Sequence, residues 1–242
     1  VVPLGRISVR RAVLVVDGRS GGDGCGGIHS LELNAALLSV VRGRVAGMVD
    51  LGDPKAVLHH YLQATRDDLL WKLDGLGERE VRWPRTSTGN NLLGILKHCL
   101  NVEAGYFGPT FGRTFPTPEE LVSVQEYEKD SQADWYARVD ESKDGLIDLY
   151  RRVAAFADQT IEQLPLDAPG RVSWWRPDKQ DVTLQRIIVH VTCDLTRHVG
   201  QADILREQHD GAIGLHLGNT NVPDYDWSAY VARLTDLAQR FA

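Results

Sequence analysis

TLQRIIVHVTCDLTRHVGQADILREQHDG, residues 183–211, carries its apolar residues at helical spacing. Leu184, Ile187, Val191, Leu195, His198, Ala202 and Leu205 recur in steps of three and four, the period of one helix face. Thr183 is a capping residue type at the head of the run, and Gly211 and Gly214 stop it. Asp194 and His198 stand four residues apart within it. Side chains at i and i+4 lie about 40° apart around a helix, so both can grip one ion.

Upstream, three more segments share the period. Trp135, Val139, Ser142, Leu146, Leu149, Val153, Phe156 and Thr160 alternate four and three steps, the seam of a left-handed bundle, closed by Pro165 and Pro169. Leu92, Ile95, Leu96, Cys99, Val102 and Tyr106 mark a helix stopped by Gly108-Pro109. Leu58, Tyr61, Leu62, Thr65, Leu69 and Leu73 mark the first helix, with Asp53 as cap, Pro54 in its first position, and Gly75 and Gly77 after it. Downstream, an amphipathic stretch from Asp226 carries Trp227, Tyr230, Val231, Leu234, Leu237 and Phe241. No strand alternation is expected after residue 50. Residues 109–130 and the stretch APGRVSWWRPDKQD (168–181) read as loops. The economical arrangement is all-α: a four-helix bundle with long inter-helix loops and an extra C-terminal helix.

At 242 residues the chain can bury a full core. Its 43% hydrophobic and 25% charged residues place it among ordinary globular proteins. A net charge of -6 with no basic stripe argues against a nucleic-acid partner. Cys25, Cys99 and Cys193 form neither a metal-ligand spacing nor a disulfide framework, which suits a reducing, cytoplasmic compartment. No apolar run reaches the ~18 residues of a membrane span. Arg10-Arg11 precede AVLVV (Ala12–Val16), which is too short for a signal core and ends at Asp17. A glycine-rich run spans Gly21 to Gly27, and the only methionine is Met48. Residues 1–47 are therefore expected to be a weakly structured extension or the product of a misplaced start site, with 48–242 the bundle domain.

His98 has Ile95 three residues before it and Val102 four after, so it is expected to face the bundle interior. With Asp194 and His198 it would make a three-ligand set with an open position, a form common in catalytic zinc sites. A buried carboxylate needs a partner, and spacing alone leaves two readings open: a metal ion, or an ion pair of Asp194 with either histidine. His190, one turn before Asp194, is a further ligand, an outer partner or a half-buried edge residue. His59-His60 cannot share a face, so at most one points inward. Cys99 and Cys193 are expected to be small core residues. Glu103 either orients a ligand or is solvated charge. Trp174-Trp175 either wall a substrate cleft or pack over the bundle end.

Four stretches carry a resemblance: WKLDGL (Trp71–Leu76), TGNNLLGILKHCLNVEAGYFGPTFGR (Thr88–Arg113), LPLDAPGRVSWW (Leu164–Trp175) and VTLQRIIVHVTCDLTRHVGQADILREQHDGAIGL (Val182–Leu215). Together they resemble the DinB/YfiT-like superfamily and, within it, the actinobacterial mini-circle-type branch of unknown function, related to mycothiol-dependent maleylpyruvate isomerase. The resemblance implies a four-helix bundle holding a divalent metal, zinc foremost, on His98, Asp194 and His198. Relatives usually carry histidine or glutamate where this chain has Asp194, and often a further histidine where it has Gln201. The implied activity is a metal-dependent S-transfer of a low-molecular-weight thiol such as mycothiol onto a small electrophile. A metal-dependent hydrolase at the same site and a non-catalytic, stress-related helical protein are the alternatives. The implied partners are a small-molecule substrate and a thiol, and the chain would act as a monomer or homodimer.

Overall fold

A computed structural model describes residues 52–215 and 221–241. The expectation for residues 1–47, and Cys25 with it, falls outside the described residues. The described chain is mostly helical, and four long helices make the bundle: α1 (Pro54–Trp71), α3 (Leu92–Phe107), α5 (Lys143–Gln163) and α6 (Leu184–Asp210). Each begins at a side-chain cap that satisfies an otherwise orphaned amide. Asp53 Oδ1 accepts from Lys55 N, Asn91 Oδ1 from Gly94 N, Ser142 Oγ from Gly145 N and Thr183 Oγ1 from Arg186 N. Gly211, at φ 76°, closes α6 in the left-handed region that glycine tolerates.

Helix α3 packs on α5 and α6, and α1 packs on α6 and α5, so apolar stripes from all four meet in one core. Leu62, Leu93, Ile95, Leu96, Tyr150, Val153, Ile187 and Leu195 are all fully buried there. Tyr61 is exposed instead, because its neighbour Leu62 takes the inward position. One charged network crosses the core. Arg66 of α1 donates to Glu103 of α3 at 2.5 Å, and Tyr150 of α5 donates to the same carboxylate at 2.9 Å. Burial opposes the charge on Arg66, but Glu103 and Asp158 outweigh it and the guanidinium holds its proton more tightly than usual.

The connections depart from expectation. The third bundle helix starts at Lys143, so Trp135 and Val139 lie outside it; Val139 is wholly exposed. The residues before Ser142 fold back on α3 instead. Lys97, itself buried, donates to the Tyr136 carbonyl and pairs with Glu141, and Arg82 of α2 (Glu78–Arg82) donates to the Ala137 carbonyl. Within 109–130, α4 (Val124–Lys129) forms behind a capping box of Ser123 and Glu126. A small antiparallel hairpin, β1 (Pro169–Arg171) with β2 (Asp181–Thr183), carries Trp174-Trp175 in its loop. Helix α7 (Trp227–Gln239) is capped by Asp226 and buries none of its residues. Among the described residues no helix is long and apolar enough to cross a membrane.

Candidate metal centre

His98 on α3 meets Asp194 and His198 on α6. One potential ligand atom from each lies within 4.8 Å of the other two. The His98 and His198 rings meet edge to face, with centroids 4.8 Å apart. His198 is nearly buried at 9% side-chain exposure, while Asp194 keeps 33%, so the cluster is closed toward the core and open on one side.

The protonation pattern follows from the outer partners. Asp134 Oδ2 stands 2.7 Å from Nδ1 of His98. Gln201 Oε1 stands 2.8 Å from Nδ1 of His198. Both partners are acceptors, so each Nδ1 donates outward, and in the neutral ring Nε2 is the nitrogen left to face a cation. His198 Nε2 is 3.7 Å from Asp194 Oδ2, beyond hydrogen-bond range. One nitrogen from each imidazole and a carboxylate oxygen thus converge within 4.8 Å of one another. That is a suitable cradle for a cation, and the donor set of two nitrogens and one oxygen suits zinc.

Asp134 arrives from the turn after α4, and α3 is shaped to receive it. A Cβ on Gly94 would lie 1.9 Å from the Trp135 carbonyl oxygen, so only glycine lets this backbone cross the helix there. Asn91 Nδ2 donates to the same carbonyl at 3.3 Å. Trp135 then stacks on His98, with centroids 4.0 Å apart at 17°. Tyr127 adds a second hydrogen bond to Asp134 Oδ2 at 3.0 Å. Burial and the Asp134 carboxylate push that phenol above its ordinary range, so it remains a donor.

Other expected residues fall elsewhere. His190 is not in the cluster; its Nε2 lies 3.1 Å from the Tyr106 hydroxyl, which also accepts from Trp175 Nε1 at 2.9 Å. Burial depresses its pKa, against the pull of Asp194, and favours a neutral ring. Glu103 neither orients a ligand nor meets solvent, being held by Arg66 and Tyr150. His59 turns inward to Asp158 at 2.7 Å and His60 is exposed. Cys99 is a core residue, its thiol pushed far up by burial and then by Glu103, so it is no nucleophile; Cys193 is exposed, contrary to expectation. Trp174 is exposed and Trp175 is half-buried.

Asp134, Tyr127 and Gly94 carry no local motif. The one available signal is Trp135-Tyr136, a pair of aromatic residues in a polar stretch, which marks a docked segment rather than a solvated one. A cavity of about 610 Å³ opens beside the cluster, bounded by His98, Val102, Tyr106, Leu121, Trp135 and Trp174 among others.

The profile of a family described as mycothiol-S-transferase matches residues 57–211, more than half of the chain and the whole of the cluster. No curated protein matches it.

Proposed function

The chain belongs to the mycothiol S-transferase family, and on that footing we propose that it joins a low-molecular-weight thiol of the mycothiol type to a small electrophile. His98, Asp194 and His198 would hold a divalent metal, zinc by the chemistry of the donor set. The observation that carries this reading is the pair of engaged Nδ1 atoms. With Asp134 and Gln201 taking the outer nitrogens, the neutral rings would offer their inner nitrogens to a cation beside the Asp194 carboxylate.

A bound dication supplies positive charge that favours the ionised form of a thiol, whose ordinary pKa of about 8.5 leaves little thiolate at neutral pH. The protein's residues supply orientation. Asp134 and Trp135 fix the His98 ring between a hydrogen bond and a stacked indole. Gln201 fixes His198. The cavity bounded by Val102, Leu121 and Trp174 leaves space for the second reactant beside the cluster. In the transfer, the thiolate sulfur forms a bond to an electrophilic carbon of that reactant. The displaced group leaves with the electron pair, or the electron pair is protonated from solvent on addition.

Elemental analysis after reconstitution, paired with mass spectrometry of a mycothiol reaction, tests this. The expected result is one equivalent of metal and a thiol conjugate, both lost in His198→Ala while the helical circular dichroism persists. Less than about a tenth of an equivalent of metal in the native chain would sink the reading. Substrate consumed with no thiol consumed would replace it with a hydrolase at the same residues.

A further inference from the structure

The cavity beside His98 has a distinct chemistry. Its walls are largely apolar, with the aliphatic side chains of Val102 and Leu121 and the rings of Tyr106, Trp135 and Trp174. Its polar groups include His98, Asn101, Tyr127 and Ser131. None of its lining residues is lysine or arginine. Its one carboxylate, Asp134, is already engaged by His98 and by the Tyr127 hydroxyl. In the metal-free chain an anion entering there would lose its hydration and meet no lysine or arginine on the walls, which is unfavourable. The net charge of -6 adds a long-range bias in the same direction.

The aromatic groups also define a shape. Trp135 is pinned flat on His98 at 4.0 Å. Trp174 stands at 61° to Tyr106, with ring centroids 5.2 Å apart, and rests over Gly105, where a Cβ would meet its Cη2 at 3.7 Å. More than half of the Trp174 surface stays exposed, at 53%, although it is a large apolar ring. An exposed indole at the rim of an apolar cavity is suited to cover a flat ligand through face and edge contacts.

We propose that the cavity between Trp135 and Trp174 binds an uncharged aromatic molecule and discriminates against its carboxylated counterpart. Naming that molecule as the electrophile rests on the thiol-transferase reading; the binding preference itself does not. Trp174 and Leu121 are the specificity-determining residues, one by covering the ring and the other by keeping cationic charge off the wall.

Equilibrium binding to the full chain tests the preference without thiol. The probes are 2,6-dinitrotoluene and 4-methyl-3,5-dinitrobenzoate, which share a ring and differ by one carboxylate, each followed by quenching of tryptophan fluorescence with and without bound zinc. The expected result is binding of the neutral probe at least about tenfold tighter in the metal-free chain, a preference that bound zinc narrows. Trp174→Ala should weaken the neutral probe several-fold, and Leu121→Arg should narrow or reverse the preference. Equal or tighter binding of the carboxylate to the metal-free chain overturns the proposal, as does neutral-probe affinity unchanged in Trp174→Ala. If the preference holds and 1-chloro-2,4-dinitrobenzene still forms no thiol conjugate, the transferase reading fails and the cavity assignment stands.

Discussion

Asp134 Oδ2 sits 2.7 Å from Nδ1 of His98, although the two are joined through a loop, a short helix and a turn. The contact exists because α3 offers a row of receptors for one stretch of backbone. Asn91 and Gly94 take the Trp135 carbonyl, Lys97 takes the Tyr136 carbonyl, and His98 takes the Asp134 carboxylate. Outer partners of this kind set the tautomer of a ligating histidine and raise its basicity.

Asp134→Asn should therefore weaken zinc binding by roughly 10- to 100-fold, the usual scale for losing an outer carboxylate. Competition against a chromophoric chelator measures it. Affinity equal to that of the native chain would remove Asp134 from any orienting role.

Gly94→Ala should lower zinc affinity without touching a ligand. Its methyl group would enter the space of the Trp135 carbonyl, and the turn carrying Asp134 would have to shift. Far-ultraviolet circular dichroism should stay native, because alanine is the better helix former. A variant with unchanged affinity would show that the turn relaxes without moving Asp134.

Asp194→Glu should keep or raise metal affinity, and Asp194→Asn should lower it. The donors span up to 4.8 Å, so a longer carboxylate closes the gap, whereas asparagine removes the charge that offsets a dication. Isothermal titration of both variants checks the order; equal affinities would mean that Asp194 is not a ligand.

Glu103→Ala should destabilise the fold by about 3–5 kcal/mol, because it leaves Arg66 charged, buried and without its main partner. The measurement is the urea midpoint at constant slope. A loss below about 1 kcal/mol would mean that water or Asp158 takes over.

Acid should weaken the chain partly through Asp158. Burial pushes its carboxyl up, but the hydrogen bond from His59 and the Arg66 charge outweigh that and hold it below its ordinary value. The unfolded chain then takes up the proton first as pH falls. Asp158 thus contributes stability above the unfolded value of about 3.9 and loses it as pH drops through the lower folded value. Urea midpoints between pH 5 and pH 3 should fall less steeply in Asp158→Asn than in the native chain. Parallel slopes would exclude this pair.

The bundle was legible because its signals are local and repeated. Asp53 and Thr183 precede periodic apolar runs, and each does cap a helix. His98, Asp194 and His198 could be found because helical spacing puts them on inward faces, and the structure brings them together. Trp135 misled because its spacing from Val139 and Ser142 continues the α5 period by coincidence, whereas Ser142 ends that helix by capping it. Asp134 could not be found this way. Its role depends on a carbonyl crossing a glycine on another helix, and no periodicity in its own segment encodes that contact.

The spread of the cluster along the chain also governs when it can exist during biosynthesis. His98 leaves the ribosome before Asp134, and both precede Asp194, His198 and Gln201 in the middle of α6. Until that helix emerges, His98 and Asp134 are in place without either of the other two candidate ligands. The cluster forms only when this helix docks against α3, so its geometry depends on the whole bundle having been translated.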